Sequence, residues 1–130
     1  MQLYLVRHAE ATPGSPDELR PLSDEGREQA RELGERLRAK GVSPDVVLTS
    51  PLLRARETGE TLARATGSRS EADGRLAPGA TAETLRAAVA DRGEQVVVVG
   101  HQPDCGRIAA ELRGGEEPPF PAGGMVVLEL

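Results

Sequence analysis

An arginine and a histidine close an apolar run near the start of the chain: Leu3-Tyr4-Leu5-Val6 leads directly into Arg7-His8. The only other histidine, His101, follows Val96-Val97-Val98-Val99-Gly100 in the same way. Uninterrupted apolar runs of this length suit strands buried on both faces, and open α/β sheets bind ligands beyond the carboxyl ends of their strands. Both imidazoles are therefore expected to emerge into one hollow. Arg54 joins them from Ser50-Pro51-Leu52-Leu53-Arg54, just beyond the run Val46-Val47-Leu48. Two imidazoles and two guanidinium groups around one concavity suit a phosphoryl group. Its oxygens spread negative charge, guanidinium forks match them in pairs, and helices opening near Pro51 and Pro103 would add backbone N–H groups.

A histidine that attacks phosphorus must be neutral, and nearby guanidinium charge disfavours the protonated ring. Phosphoryl transfer asks mainly for positioning and charge neutralisation, so the scheme requires no metal ion.

The elements that must position these groups are legible as alternating patterns. Four short apolar runs, Leu3–Val6, Val46–Leu48, Val96–Val99 and Met125–Leu130, predict strands, and a short edge strand is expected around Ser70. Ser23 is the expected N-cap of a first helix with Ala30, Leu33 and Leu37 inward and a stop at Lys40-Gly41. Ser50-Pro51 reads as the cap and first residue of a second helix, which carries Ala55, Thr58, Gly59 and Leu62 inward and ends at Gly67. Thr81 is expected to cap a third, running to Gly93, and Pro103 or Asp104 to open a fourth that ends at Gly114-Gly115. The prolines Pro118, Pro119 and Pro121 then form a loop. This order predicts an α/β three-layer sandwich: a mostly parallel central sheet with helices on both faces.

Composition narrows the alternatives. The 130 residues, 38% of them hydrophobic, suit one domain spanning 1–130. Aromatic residues make up 2% and the net charge is −5, a poor match to nucleic-acid binding by base stacking or by a diffuse basic surface. Cys105 is the single cysteine, so no internal disulfide or zinc site is expected and a cytoplasmic location is favoured. No apolar stretch approaches the ~20 residues that span a bilayer, and Met1-Gln2-Leu3 leads straight into a strand, so a membrane association is not expected either.

The motifs resemble the histidine phosphatase (phosphoglycerate-mutase-like) superfamily. They are Val6-Arg7-His8-Ala9-Glu10, Arg20-Pro21-Leu22-Ser23 with Gly26, Ser50-Pro51-Leu52-Leu53-Arg54-Ala55 with Thr58, and Gly100-His101-Gln102-Pro103. In length, in the Arg-Pro-Leu-Ser segment and in its compact middle, the chain is similar to the small SixA-type phosphohistidine phosphatases. The resemblance implies a phosphoglycerate-mutase-like fold and transient phosphorylation of His8. It also implies that Arg7, Arg54 and His101 hold the phosphoryl group, that water completes hydrolysis, and that no cofactor takes part. Larger members carry a carboxylate general acid on a mid-chain insertion. Asp73 and Glu83 lie in that region without the surrounding pattern.

Other polar residues have plainer readings. Glu10 is either a solvent-facing carboxylate or a loop or substrate contact, and Arg20 either approaches the pocket rim or is solvated. Arg56 is expected to point away from the pocket, Asp104 to cap a helix rather than serve as an acid, and Cys105 to be a small buried residue whose place near a helix N-terminus leaves modest reactivity open. The expected activity is hydrolysis through a phosphohistidine intermediate on His8, with the phosphoryl group coming from a phosphohistidine of a protein and the enzyme acting as a monomer. A phosphorylated imidazole leaves with little proton donation, which fits a missing acid. Two rival readings are a phosphomonoesterase for small phosphorylated metabolites and a non-catalytic phosphate-binding or phosphocarrier module.

Overall fold

Five strands pair into one sheet in the computed structural model, which describes residues 1–130. In chain order the elements are β1 (Gln2–Arg7), α1 (Asp24–Ala39), β2 (Val46–Thr49), α2 (Leu53–Thr66), β3 (Ser70–Ala72), α3 (Ala82–Val89), β4 (Gln95–Gly100), α4 (Asp104–Arg113) and β5 (Met125–Glu129). Single 3-10 turns at Asp17–Leu19 and Gly74–Leu76 add to these. The sheet runs β3-β2-β4-β1-β5; all neighbours are parallel except β5, which closes the β1 edge antiparallel.

Strand side chains alternate between two apolar layers. Leu3, Leu5, Val46, Leu48, Val96 and Val98 pack with Leu85 and Val89 of α3 and Ile108 and Ala109 of α4. Tyr4, Val6, Val47, Val97 and Val99 face the other way, onto Leu33 and Leu37 of α1 and Ala55 and Leu62 of α2. Because β1, β2 and β4 are covered on both faces, they read as unbroken apolar runs in the sequence. The expected three-layer α/β sandwich is the observed one.

The ends of α2 and α3 depart from the sequence reading. Ser50 does not cap α2: its backbone N–H still belongs to the sheet, donating to the Val99 carbonyl at 3.0 Å, so the helix opens later, with Leu52 at the N-cap position and no side-chain cap. Pro51 accordingly lies outside the helix. The third helix stops at Val89 rather than near Gly93, and the chain turns through Asp91 at a φ of 59°. Gly93 follows at a φ of 133°, where a Cβ would stand 2.2 Å from the Asp45 carboxylate that receives the Glu94 and Gln95 N–H groups. Thr81 caps α3 as expected, in a reciprocal pair with Thr84.

Candidate active site

Strand register brings the chemistry together. Arg7 of β1 pairs with Gly100 of β4, Thr49 of β2 is level with Val99, and the next backbone N–H groups continue the ladder, His8 to the Gly100 carbonyl at 2.9 Å and Ser50 to that of Val99. His8, His101 and Ser50 therefore leave three adjacent strands side by side. The two imidazole centroids are 5.1 Å apart with ring planes at 61°, and the residues are 9% and 5% exposed.

His8 has a fixed tautomer. Its Nδ1 lies 2.7 Å from the carbonyl oxygen of Ala9. A carbonyl only accepts, so Nδ1 carries the proton and Nε2 keeps its lone pair. The pKa is lowered from 6.5 to about 4, chiefly by burial; the Ala9 hydrogen bond opposes this, and the charges of Arg54, Arg7 and Arg20 reinforce it. His101 is lowered to about 4 as well, first by burial and then by His8, Arg54 and Arg7, with Asp17 pulling the other way. Its Nε2 sits 2.7 Å from the Ser50 hydroxyl, which also accepts from the Leu52 N–H at 3.3 Å. Both rings are neutral at physiological pH.

The guanidinium groups are anchored at one end and unspent at the other. Arg7 donates through Nη1 to the Phe120 carbonyl at 3.0 Å. Arg54, 7% exposed, donates through Nη1 to the Asp17 carbonyl at 2.9 Å and through Nη2 to the Asp17 carboxylate at 3.2 Å. The Nε of each is buried and without a hydrogen-bond partner. Unpaired buried donors are costly, and guanidinium N–H groups are of the kind that pair with oxyanions. Thr58 locks the two sides together: its hydroxyl accepts from the Ala9 N–H at 3.1 Å and donates to the Arg54 carbonyl at 2.8 Å.

The Arg-Pro-Leu-Ser segment braces the loop that follows His8. Leu22, fully buried, bridges Ala11, and Ser23 caps α1 by accepting from Gly26 while its own N–H donates to the Glu10 carbonyl. Gly26 permits this approach, since a Cβ there would stand 1.9 Å from the Glu10 carbonyl oxygen. Glu10 is exposed and its carboxylate accepts from the Ser23 hydroxyl, a loop-bracing role.

Arg20 turns toward the site: its charge reaches His8, and its Nε is buried 3.3 Å from the Asp17 carboxylate, too poorly aligned for a hydrogen bond. Arg56 donates to the Pro51 carbonyl, away from the histidines. Asp104 is a correction. Its carboxylate does not cap its own helix but accepts from the Gly79 N–H at 2.8 Å, clamping the loop before α3. Cys105 is buried, and burial together with the adjacent Asp104 charge pushes its thiol up to about 12, which disfavours the reactive thiolate. Asp73 is committed to the backbone N–H and side chain of Arg75, which hold its carboxyl below the usual range, and Glu83 is exposed on α3. No group of three or more His, Cys, Asp or Glu side chains gathers as metal ligands do.

Two residues at the site went unread in the sequence. Asp17 lies in an aperiodic loop, 37 residues from its partner Arg54, and Ser50 presents the ordinary pattern of a helix cap.

A sheet ending in paired imidazoles and guanidinium groups defines a phosphoryl-handling α/β protein, and the chain belongs to the histidine phosphatase superfamily, whose branch 1 model matches residues 3–78. The phosphohistidine phosphatase SixA of Escherichia coli is 32% identical over 127 residues, covering 92% of this chain and 79% of that protein. An uncharacterized protein of Picosynechococcus is 37% identical over 89% of this chain and 75% of its own length. Among solved structures, the putative phosphohistidine phosphatase SixA from Agrobacterium tumefaciens superposes with a TM-score of 0.84 at 28% identity, covering 97% of this chain and 89% of that one. A protein histidine phosphatase SixA complexed with tungstate also gives 0.84, at 27% identity, over 98% of this chain and 94% of the other.

Proposed function

We propose that the chain is a phosphatase that works through a covalent phosphohistidine on His8 and takes its phosphoryl group from a phosphohistidine of a protein. The observation that carries this reading is the state of His8: a neutral ring whose Nδ1–H is spent on Ala9, leaving the Nε2 lone pair beside two buried guanidinium groups with unpaired Nε–H donors. In the first step Nε2 attacks phosphorus in line with the departing group. Arg7, Arg54 and His101 receive the oxygens on which charge develops. Phospho-His8 then carries Nδ1–H and Nε2–P, a cation whose proton is held by the Ala9 carbonyl, so water displaces a neutral imidazole.

Three observations favour a phosphohistidine substrate. The E. coli relative is named for that activity. The segment between β3 and α3 is short, and its one carboxylate, Asp73, is tied up by Arg75 rather than free to protonate an alkoxide. The structural relative complexed with tungstate is likewise named a protein histidine phosphatase. A protein substrate of this kind suits a cytoplasmic monomer. Brief exposure to a small phosphorylated donor, with detection of acid-labile phosphate, should label the wild type and not His8→Ala. Equal labelling of both would contradict the reading.

A further inference from the structure

A transfer between two imidazoles makes the same demand on both rings, and only one of them is served by the groups described so far. A ring phosphorylated on one nitrogen becomes a good leaving group when its other nitrogen is protonated, because it then departs neutral. His8 has the Ala9 carbonyl to hold that N–H. The substrate's ring needs an equivalent acceptor on the outer side of the phosphoryl group, opposite a nucleophile that is only 9% exposed.

Asp17 has the required placement. Its side chain is 64% exposed although its Oδ2 is 3.2 Å from Nη2 of the buried Arg54. Its Oδ1 is 3.3 Å from the Arg20 Nε, and its charge is felt at His101. It thus stands on the solvent side of the guanidinium group proposed to hold the phosphoryl oxygens. Each carboxylate oxygen has two lone pairs, so engagement by Arg54 and Arg20 leaves capacity for a further donor. An acid so close to a phosphate-binding arginine opposes phosphate charge, and a site built only for phosphate would omit it.

We propose that Asp17 is a specificity-determining residue that accepts the free ring N–H of the substrate phosphohistidine and so favours its protonated form. This rests on the phosphohistidine reading given above. The His8 Nε2 lone pair forms the new N–P bond, the substrate's P–N bond breaks, and its electron pair returns to the departing nitrogen. The proton stays on the far nitrogen beside Asp17, and a neutral imidazole leaves, so no separate acid is required.

Phosphoimidazole and p-nitrophenyl phosphate separate this role from its rivals without a protein substrate. Asp17→Asn keeps both the backbone carbonyl and a side-chain oxygen for Arg54. It should lower kcat/KM for phosphoimidazole about tenfold more than for p-nitrophenyl phosphate, mostly in kcat. The alkaline limb of the phosphoimidazole pH profile should also move to lower pH, because the substrate ring loses its proton sooner. Asp17→Glu should restore part of the preference. An equal loss on both substrates, which a purely structural anchor for Arg54 would give, would overturn the proposal, as would a gain on both, the mark of a carboxylate that blocks the site. Wild-type protein that leaves phosphoimidazole intact while hydrolysing p-nitrophenyl phosphate would instead overturn the phosphohistidine reading and this inference with it.

Discussion

The ends of β1 and β4 each present one buried histidine, and the two are held in opposite ways. His8 is fixed by the carbonyl of the residue next to it, a group that can only accept, so one tautomer is enforced. His101 is fixed by a hydroxyl from a third strand, Ser50 on β2's extension, which can donate or accept. The first arrangement suits a ring that must always offer the same lone pair. The second tolerates a change of charge, as a group must when it stabilises an oxyanion that appears and disappears. Burial pushes both values to about 4, so the difference between the rings lies in their hydrogen bonds rather than in their basicity.

The comparison is broken most directly by deleting each ring. His8→Ala should lose turnover by a factor on the order of 10^4 and lose covalent labelling altogether, because the nucleophile is gone. His101→Ala should lose about 10^2–10^3 in turnover yet still label slowly, as expected for one lost oxyanion donor. Equal labelling defects would erase the proposed division between attacker and stabiliser.

The support of the His8 side is tested by Gly26→Ala. The new Cβ meets the Glu10 carbonyl at 1.9 Å, so the loop behind His8 or the start of α1 must shift, at about 1–3 kcal/mol of stability. Gly74→Ala, which meets nothing within 4 Å, should stay within about 0.5 kcal/mol of wild type in the same denaturant titration. Matching losses in the two variants would show that the close contact carries no energy.

The smallest effect is expected at Ser50. Ser50→Ala removes the hydroxyl that orients His101 and should lower kcat/KM about fivefold to tenfold, in line with one hydrogen bond of about 1 kcal/mol. Covalent labelling of His8 should persist, since its own tether is untouched. A complete loss of labelling in Ser50→Ala would mean that the two rings are not independently held.

The sequence exposes the site to the extent that backbone order creates it. Strands buried on both faces leave unbroken apolar runs, so the points where β1 and β4 release His8 and His101 are visible by inspection. Arg54 survives a misplaced helix start, because it falls in the first turn of α2 on either reading. What stays hidden depends on contacts with no local pattern. Ser50-Pro51 has the form of a helix start, and only pairing with Val99 reveals that Ser50 still belongs to the sheet and faces His101. Asp17 sits on a single 3-10 turn whose position is set by Arg54 and Arg20 rather than by periodicity. Asp104 carries the residue type of a cap, yet its partner is Gly79, brought close only by packing of α3 on α4.

The nucleophile's protonation state is the point on which the chemistry turns, and long-range 1H–15N correlation spectra of the two imidazoles across pH read it directly. A value lowered from 6.5 to about 4 keeps each ring neutral until the solution is well below physiological pH. At pH 7, His8 should carry its proton on Nδ1 with Nε2 bare, and both rings should titrate near 4. A His8 ring that holds its proton on Nε2, or that charges near 6.5, would contradict the mechanism.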